Sequence, residues 1–342
     1  MSFKISATMP DGAVAGPFEN TTGRTILETL LGAGVDYPHG CRAGNCGACK
    51  SHLVAGDVEM SPYSKFALSQ DEKARGLILA CRSVPWSNCK IEPIGAEDAS
   101  FHASRRLNCS VAMIEAATHD IRIIALDILS GGPFDYTAGQ YATLTFDGLP
   151  PRDFSMATAP RLGQLEFHIR HIAGGAVTSH VMESLVAGDK VEVRGPMGTA
   201  HFRADHKGPA LLLAGGSGLA PVKAITEAAL ASDKDRDLYL YFGARDERDT
   251  YLEDYFRDLA TRHGNLKFTV VLSEPVGGTT RRTGFLADVV AADFDNLEGF
   301  KAYLAGPPMM VESCTATVIR LGLDKRDCHA DAFYTEVEKA NP

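Results

Sequence analysis

Four cysteines frame the first question. Cys41, Cys46 and Cys49 follow one another as C-x4-C-x2-C, and Cys81 comes later in the apolar run "ILACRSV". Thiolates at that spacing are the ligand set of a [2Fe–2S] cluster. Cluster and thiolates together concentrate negative charge, so backbone N–H groups must turn inward on it. Gly40, Gly44 and Gly47, interleaved in "HGCRAGNCGAC", permit the angles and the close approach this requires. A structural zinc site also takes four cysteines, but such sites pair two short C-x-x-C units, and here the second half offers Cys81 alone. The other cysteines, Cys89, Cys109, Cys314 and Cys328, are scattered and read as packing residues.

Further along, glycines and arginines stand where phosphates could bind. "PRDFSMAT" puts Arg152, Phe154 and Ser155 at a strand end. "FHIRHIAGGAVTSHV" puts Arg170 on a strand ahead of Gly174 and Gly175, which lead into a helix. A diglycine before a helix offers N–H groups and a favourable dipole to a pyrophosphate, and an arginine adds a bidentate cation. Taken singly, Phe154 reads equally well as core, Arg152 as surface and the diglycine as a turn. "LLLAGGSGLAP" is a strand and a glycine-rich turn, with Pro221 where a helix would begin. That is a phosphate cradle at the carboxyl edge of a parallel sheet, although it lacks the G-x-G-x-x-G fingerprint. "YFGARDE" and "AGPPMM" also fall at strand ends, where an open α/β sheet binds its ligand.

The elements that must hold these residues fall into three groups. With 342 residues, 45% of them hydrophobic, the chain can bury two or three cores. A net charge of -9 argues against nucleic acid as a partner. No apolar run spans a bilayer and the start lacks a signal-peptide core, so the chain reads as cytoplasmic and off the membrane; a monomer is expected. Residues 1–95 alternate short strands and turns around one helical stretch, "TILETLLGAG". "GAEDASFHAS" (95–104) suits a linker. Residues 104–206 carry short strands such as "IRIIALDI" and "KVEVRG" between Gly, Pro and Asp turns, the pattern of an antiparallel barrel. Residues 207–342 alternate apolar strands with helices near 221–232, 249–263 and 308–321, the pattern of a parallel α/β sheet.

Together these modules resemble the ferredoxin–NADP reductase superfamily, preceded by a plant-type [2Fe–2S] ferredoxin domain of the α+β, β-grasp class. The order is that of reductase components of bacterial aromatic-ring-hydroxylating dioxygenases, and "AGQYATL", "FHIRHIAGG", "GPMGTA" and "ADAFY" bring it nearest the naphthalene dioxygenase reductase type. Phthalate-type reductases place the ferredoxin domain last and use FMN. The resemblance implies that Arg152 contacts flavin phosphates, Phe154 packs on the isoalloxazine and Ser155 bonds near N5. It implies that Arg170 and Gly174, Gly175, Ala176, Val177 and Thr178 hold the pyrophosphate of FAD. Gly215, Gly216, Ser217 and Gly218 would flank NADH, Arg245 and the acidic residues after it would meet the adenosine, and Gly306 and Pro307 would lie beside the nicotinamide. Relatives carry a cysteine where this chain has Ala305. Phe333 is the aromatic expected over the flavin, with Tyr334 next to it and packing of the last strand as the alternative. Asp246, Glu247 and Asp249 favour NADH over NADPH, against the cations Arg245 and Arg248. The implied path runs from NADH to FAD to the cluster, then to a Rieske-type or other ferredoxin or a terminal oxygenase. A monooxygenase or sugar-dehydratase reductase would show the same modules, and a redox-sensing protein could hold the cluster without turnover.

Overall fold

The computed structural model describes residues 2–9, 11–35, 37–39, 42, 44, 47–63, 67–94, 102, 104–160, 163–232 and 235–335. Of the expected linker, it therefore covers only residues 102 and 104. The chain divides into two compact units.

In the first unit, β1 (Phe3–Thr8) and β2 (Val14–Asn20) form a hairpin, followed by α1 (Ile26–Gly32). The helix starts where it does because Thr25 and Glu28 form a capping box, each side chain accepting from the other's N–H. Then come β3 (Lys50–Ala55), β4 (Val58–Met60), α2 (Gln70–Ala74), β5 (Leu77–Leu79), β6 (Ser83–Pro85) and β7 (Cys89–Pro93). The main sheet runs β2-β1-β7-β3-β5, with β7 parallel to β1 and antiparallel to β3. Ile26, Leu27 and Leu30 of α1 share a core with Ile5, Ala7 and Ile91 of the sheet. This is the expected β-grasp.

The second unit begins with β8 (Arg105–Ala116), β9 (Ile121–Ser130), β10 (Tyr141–Phe146), β11 (Arg152–Ser155), β12 (Gln164–Arg170), α3 (Ala176–Glu183) and β13 (Lys190–Met197). These strands form a six-stranded sheet in the order β11-β10-β13-β8-β9-β12. Its edge strands meet again at a bridge between Met156 and Phe167, where the Ala157 N–H donates to the Glu166 carbonyl at 2.8 Å. The sheet thus closes into a barrel, filled by alternate residues such as Leu107, Leu126, Leu144 and Val193.

The unit continues with β14 (Ala210–Gly215), a 3-10 turn over Gly216–Gly218, α4 (Leu219–Ser232), β15 (Leu238–Ala244) and α5 (Glu253–Arg262). It ends with β16 (Leu266–Leu272), β17 (Arg282–Thr283), α6 (Leu286–Asp293), β18 (Lys301–Gly306), α7 (Pro308–Arg320) and β19 (Cys328–Ala332). The sheet is parallel, in the order β17-β16-β15-β14-β18-β19. Every residue of β14 is buried, because helices cover both faces. Leu212 and Ala214 join the core under α4 and α5, while Leu211 and Leu213 join the one under α6 and α7. After β17 the chain returns to lay β18 on the far side of β14. That reversal makes the carboxyl ends of β14 and β18 the place where an open α/β sheet takes its ligand.

Two local expectations need correcting. Helix α4 starts at Leu219, so Pro221 is its third residue; the Gly216–Gly218 turn ahead of it leads the chain in two residues early. Helix α6 was not foreseen, because its N-cap is Phe285, which has no side-chain oxygen to signal a start. The barrel and the α/β layer are continuous: Ile121, Ile123 and Ala138 share one core with Val222 and Ile225 of α4. No helix among the described residues is long and apolar enough to cross a membrane.

Candidate redox site

Two of the four expected cluster ligands are described, and the fold brings them together. Cys49 and Cys81 are both buried, and the Cys81 N–H donates to Cys49 Sγ at 3.5 Å. An N–H aimed at a ligand sulfur is what a thiolate-bound cluster requires. Cys41 and Cys46 lie outside the described residues. Gly44 and Gly47 hold φ of +79° and +73°, which a side chain would resist. A Cβ at Gly47 would also come 3.0 Å from the Ala67 carbonyl. The donor set and its surroundings fit a [2Fe–2S] cluster. Cys89, Cys109 and Cys314 are buried free thiols in the cores, as packing residues should be.

In the second unit, β11 carries the residues expected at the flavin. Arg152 turns its guanidinium to the Pro151 carbonyl at 2.8 Å, and Phe154 lies half-buried against the barrel core. Ser155 is buried, and its hydroxyl donates to Asp331 Oδ2 at 3.0 Å. Gly174 is left-handed at φ +76°, and Gly175 is the N-cap of α3, where no side chain caps the first turn. Ala176 opens that helix and Val177 anchors it in the barrel core. The Thr178 hydroxyl braces the turn instead, accepting from the Ile172 N–H at 3.1 Å and donating to the Gly175 carbonyl at 3.1 Å. A Cβ at Gly175 would crowd that hydroxyl at 2.7 Å. The uncapped turn fits the pyrophosphate of FAD.

Arg170 is held through its Nε by Asp120 Oδ2 at 2.8 Å. Its Nη1 lies 3.1 Å from where a Cβ on Gly216 would stand, so it overlooks the dinucleotide turn. Asp120 also receives Arg245 Nη2 at 3.4 Å, while Asp249 grips Arg245 with both oxygens, at 3.1 and 3.0 Å. Burial works against the charged Asp120 carboxylate, yet Arg170 and the Thr118 hydroxyl outweigh it and hold its pKa below the usual range. Two arginines expected to serve different cofactors therefore converge on one carboxylate.

At the switch point the glycines prove to be a packing necessity. Gly306 sits at φ +145°, and a Cβ there would come 2.8 Å from the Gly215 carbonyl. A Cβ at Gly218 would overlap the Ala305 carbonyl. Only glycine lets the Gly215–Ser217–Gly218 turn lie this close to the end of β18. Pro307 caps α7, and the Phe333 N–H donates to the Gly306 carbonyl at 2.9 Å, with the ring half-buried against the core under α4. Tyr334 follows, half-buried. On β19, Asp331 stands in register with Ala305. The crevice fits a nicotinamide dinucleotide. Sequence reasoning passed over Asp120 and Asp331. The one signal available for Asp331 was its place two residues ahead of Phe333; Asp120 gave none.

Comparison with known proteins agrees with each module. Residues 15–85 match a 2Fe-2S iron-sulfur cluster binding domain, 108–202 an oxidoreductase FAD-binding domain and 212–316 an oxidoreductase NAD-binding domain. The chain is 38% identical to the ferredoxin–NAD(P)+ reductase component of the naphthalene 1,2-dioxygenase/salicylate 5-hydroxylase systems of Ralstonia sp., covering 92% of this chain and 94% of that one. It is 33% identical to the reductase component of phenol 2-monooxygenase from Pseudomonas sp. strain CF600, over 99% and 97%. Among solved structures, a cytochrome P450 reductase of Amycolatopsis superposes with a TM-score of 0.78 at 32% identity, over 96% and 98% of the two chains.

Proposed function

The chain belongs to the iron–sulfur, FAD- and NAD-binding reductase components of multicomponent oxygenase systems, and on that premise we propose that it takes hydride from NADH at the crevice between β14 and β18 and passes electrons, through the cluster, to a ferredoxin or terminal oxygenase of an aromatic-ring-hydroxylating dioxygenase. When bound, FAD accepts hydride and releases electrons singly, and a [2Fe–2S] centre carries them one at a time. The chain's own residues bind, orient and shield; none needs to act as a strong acid or base.

The observation that carries this reading is the bond from Ser155 to Asp331. Ser155 ends the strand of the flavin motif, and Asp331 stands beside Ala305 at the nicotinamide edge. One hydrogen bond thus ties the two halves of a hydride-transfer site. Where relatives are expected to carry a cysteine, Ala305 offers no polar side chain, and Asp331 supplies one instead. Phe333, bonded through its N–H to Gly306, is in keeping with the aromatic that covers the flavin until nicotinamide arrives.

Coenzyme choice follows from charge. A 2′-phosphate needs a free cation, but Arg245 is neutralised by Asp249 and Asp120. The loop around it also carries Asp246 and Glu247, two acids against the one further cation, Arg248. NADH, with an uncharged ribose hydroxyl there, meets no such repulsion. Anaerobic titration of the loaded protein tests both points. NADH should bleach the flavin and then the cluster, and NADPH should show a kcat/KM at least about tenfold lower, roughly 1.4 kcal/mol. A flavin left oxidised by excess NADH would end the proposal.

A further inference from the structure

Away from the cofactor-binding turns, a run of buried polar side chains links the barrel to the α/β layer. At its centre is Lys223, one turn into α4 and 5% exposed. Its Nζ donates to the Ala157 carbonyl at 3.1 Å, to Glu166 Oε1 at 3.1 Å and to Glu227 Oε1 at 2.9 Å. An ammonium has three donors, and all three are used. Ala157 lies two residues beyond Ser155, Glu166 is on β12, and Glu227 is on Lys223's own helix. Glu166 Oε1 also accepts from His168 Nε2 at 3.2 Å. His168 Nδ1 in turn meets the Tyr251 hydroxyl at 3.0 Å, and that hydroxyl lies 3.4 Å from the Gly216 carbonyl in the dinucleotide turn.

Two routes therefore leave Glu166, one through Lys223 into α4 and one through His168 and Tyr251 to Gly216. One reaches α4 and the other the Gly216–Gly218 turn that leads into it. Burial disfavours the charged Glu166, but His168 and Lys223 outweigh it and hold the carboxylate well below the usual range. Burial pushes His168 the other way, toward its neutral form. Without the ammonium, Glu166 and Glu227 would face each other as like charges across the seam between barrel and α4. The apolar core shared by Ile121, Ile123, Val222 and Ile225 would still keep the two layers together.

We propose that Lys223 is a positioning residue for hydride transfer: by bonding at once to the segment that follows β11 and to Glu166, it fixes the dinucleotide turn at the distance and angle the transfer needs. This rests on the functional reading above. A misplacement of about 1 Å between reacting groups costs on the order of 100-fold in rate, so the seam need not open far to matter.

The test compares FAD-loaded parent protein with Lys223→Met and with Lys223→Met/Glu166→Gln, which also removes the carboxylate left facing the gap. Four quantities are measured: FAD bound per chain, the NADH dissociation constant, the long-wavelength charge-transfer absorbance of the reduced protein on titration with NAD+, and the limiting rate of flavin reduction at saturating NADH. The expected result is full FAD content, an NADH dissociation constant within about threefold of the parent, a weakened charge-transfer band and a limiting rate lower by roughly 10- to 100-fold. A band and limiting rate within twofold of the parent, even with a lower melting temperature, would make Lys223 structural only and overturn the proposal. So would failure of both variants to retain FAD. A parent protein that NADH does not reduce would overturn the functional reading, and this inference with it.

Discussion

Cys81 and Cys89 are eight residues apart, both buried, and bound for different roles. The Cys81 backbone N–H points at Cys49 Sγ, whereas Cys89 Sγ rests 3.5 Å from the Asp57 carbonyl and 3.4 Å from that of Ser87. Burial, with the nearby Asp57 charge, raises the Cys89 pKa against the two carbonyl contacts, so it stays a thiol. Cys81→Ser should lose the cluster absorbance while keeping FAD and most NADH–ferricyanide activity, because ferricyanide can take electrons from the flavin. Cytochrome c reduction should fall by orders of magnitude. Cys89→Ser should change neither; if cytochrome c reduction survives in Cys81→Ser with the cluster gone, the electron path is wrong. At the other site, Asp331→Ala removes the acceptor of the Ser155 hydroxyl. A hydrogen bond to a charged group contributes about 1.5–3 kcal/mol, so the limiting rate of flavin reduction should drop at least about tenfold with FAD content unchanged. Asp331→Asn, which keeps an oxygen in place, should recover most of it. Equal rates in all three proteins would remove Asp331 from the site.

Among the elements, the turn between β14 and α4 has the least room to vary. A methyl group at Gly218 would overlap the Ala305 carbonyl, and backbone cannot swing aside as a side chain can. Gly218→Ala should therefore cost about 1–3 kcal/mol of stability, as overpacking does, and raise the KM for NADH by tenfold or more. The barrel should still bind FAD, since Arg152, Gly174 and Gly175 are untouched; an unchanged KM would mean that the turn does not hold the dinucleotide. This constraint is also why the turn was legible beforehand. A position that accepts only glycine announces itself in sequence, as do the C-x4-C-x2-C spacing and the all-apolar β14. Asp331 did not announce itself, because its partner Ser155 lies 176 residues away and an aspartate on a strand looks like any other surface acid. Lys223 was hidden in the same manner: inside a helix its charge suggests solvent, and only the fold sets the Ala157 carbonyl and Glu166 against it. Closure of the barrel was expected from strand spacing, but the Met156–Phe167 bridge that performs it depends on register, which spacing does not reveal.

For the molecule as a whole, buried His168 and half-buried His329 of the second unit set how it tolerates acid. His168 is held toward its neutral form by burial, against the pull of Glu166. His329 is driven down to about 2, first by burial and then by the charges of Arg203 and Lys301, while its ring stacks on Tyr303. Both folded pKa values lie below the unfolded value of about 6.5. Above pH 6.5 neither state takes up the proton, so the histidines' contribution is fully present. Below pH 6.5 only the unfolded chain does, and stability falls as the pH drops toward the folded values. Each histidine that stays neutral contributes a slope of about 1.4 kcal/mol per pH unit. Glu166, also depressed, adds to the loss only below about pH 4.5, its unfolded value. Release of FAD, followed by its fluorescence on heating, reports this unit separately from the ferredoxin module. The release temperature should be nearly flat from pH 8 to 7 and then fall by several degrees per unit between pH 6 and 5. His329→Phe keeps an aromatic ring against Tyr303 but cannot take up a proton in either state, so it should flatten the slope by about one histidine's share. A parent protein whose release temperature is level down to pH 5 would show that these imidazoles are already protonated in the fold.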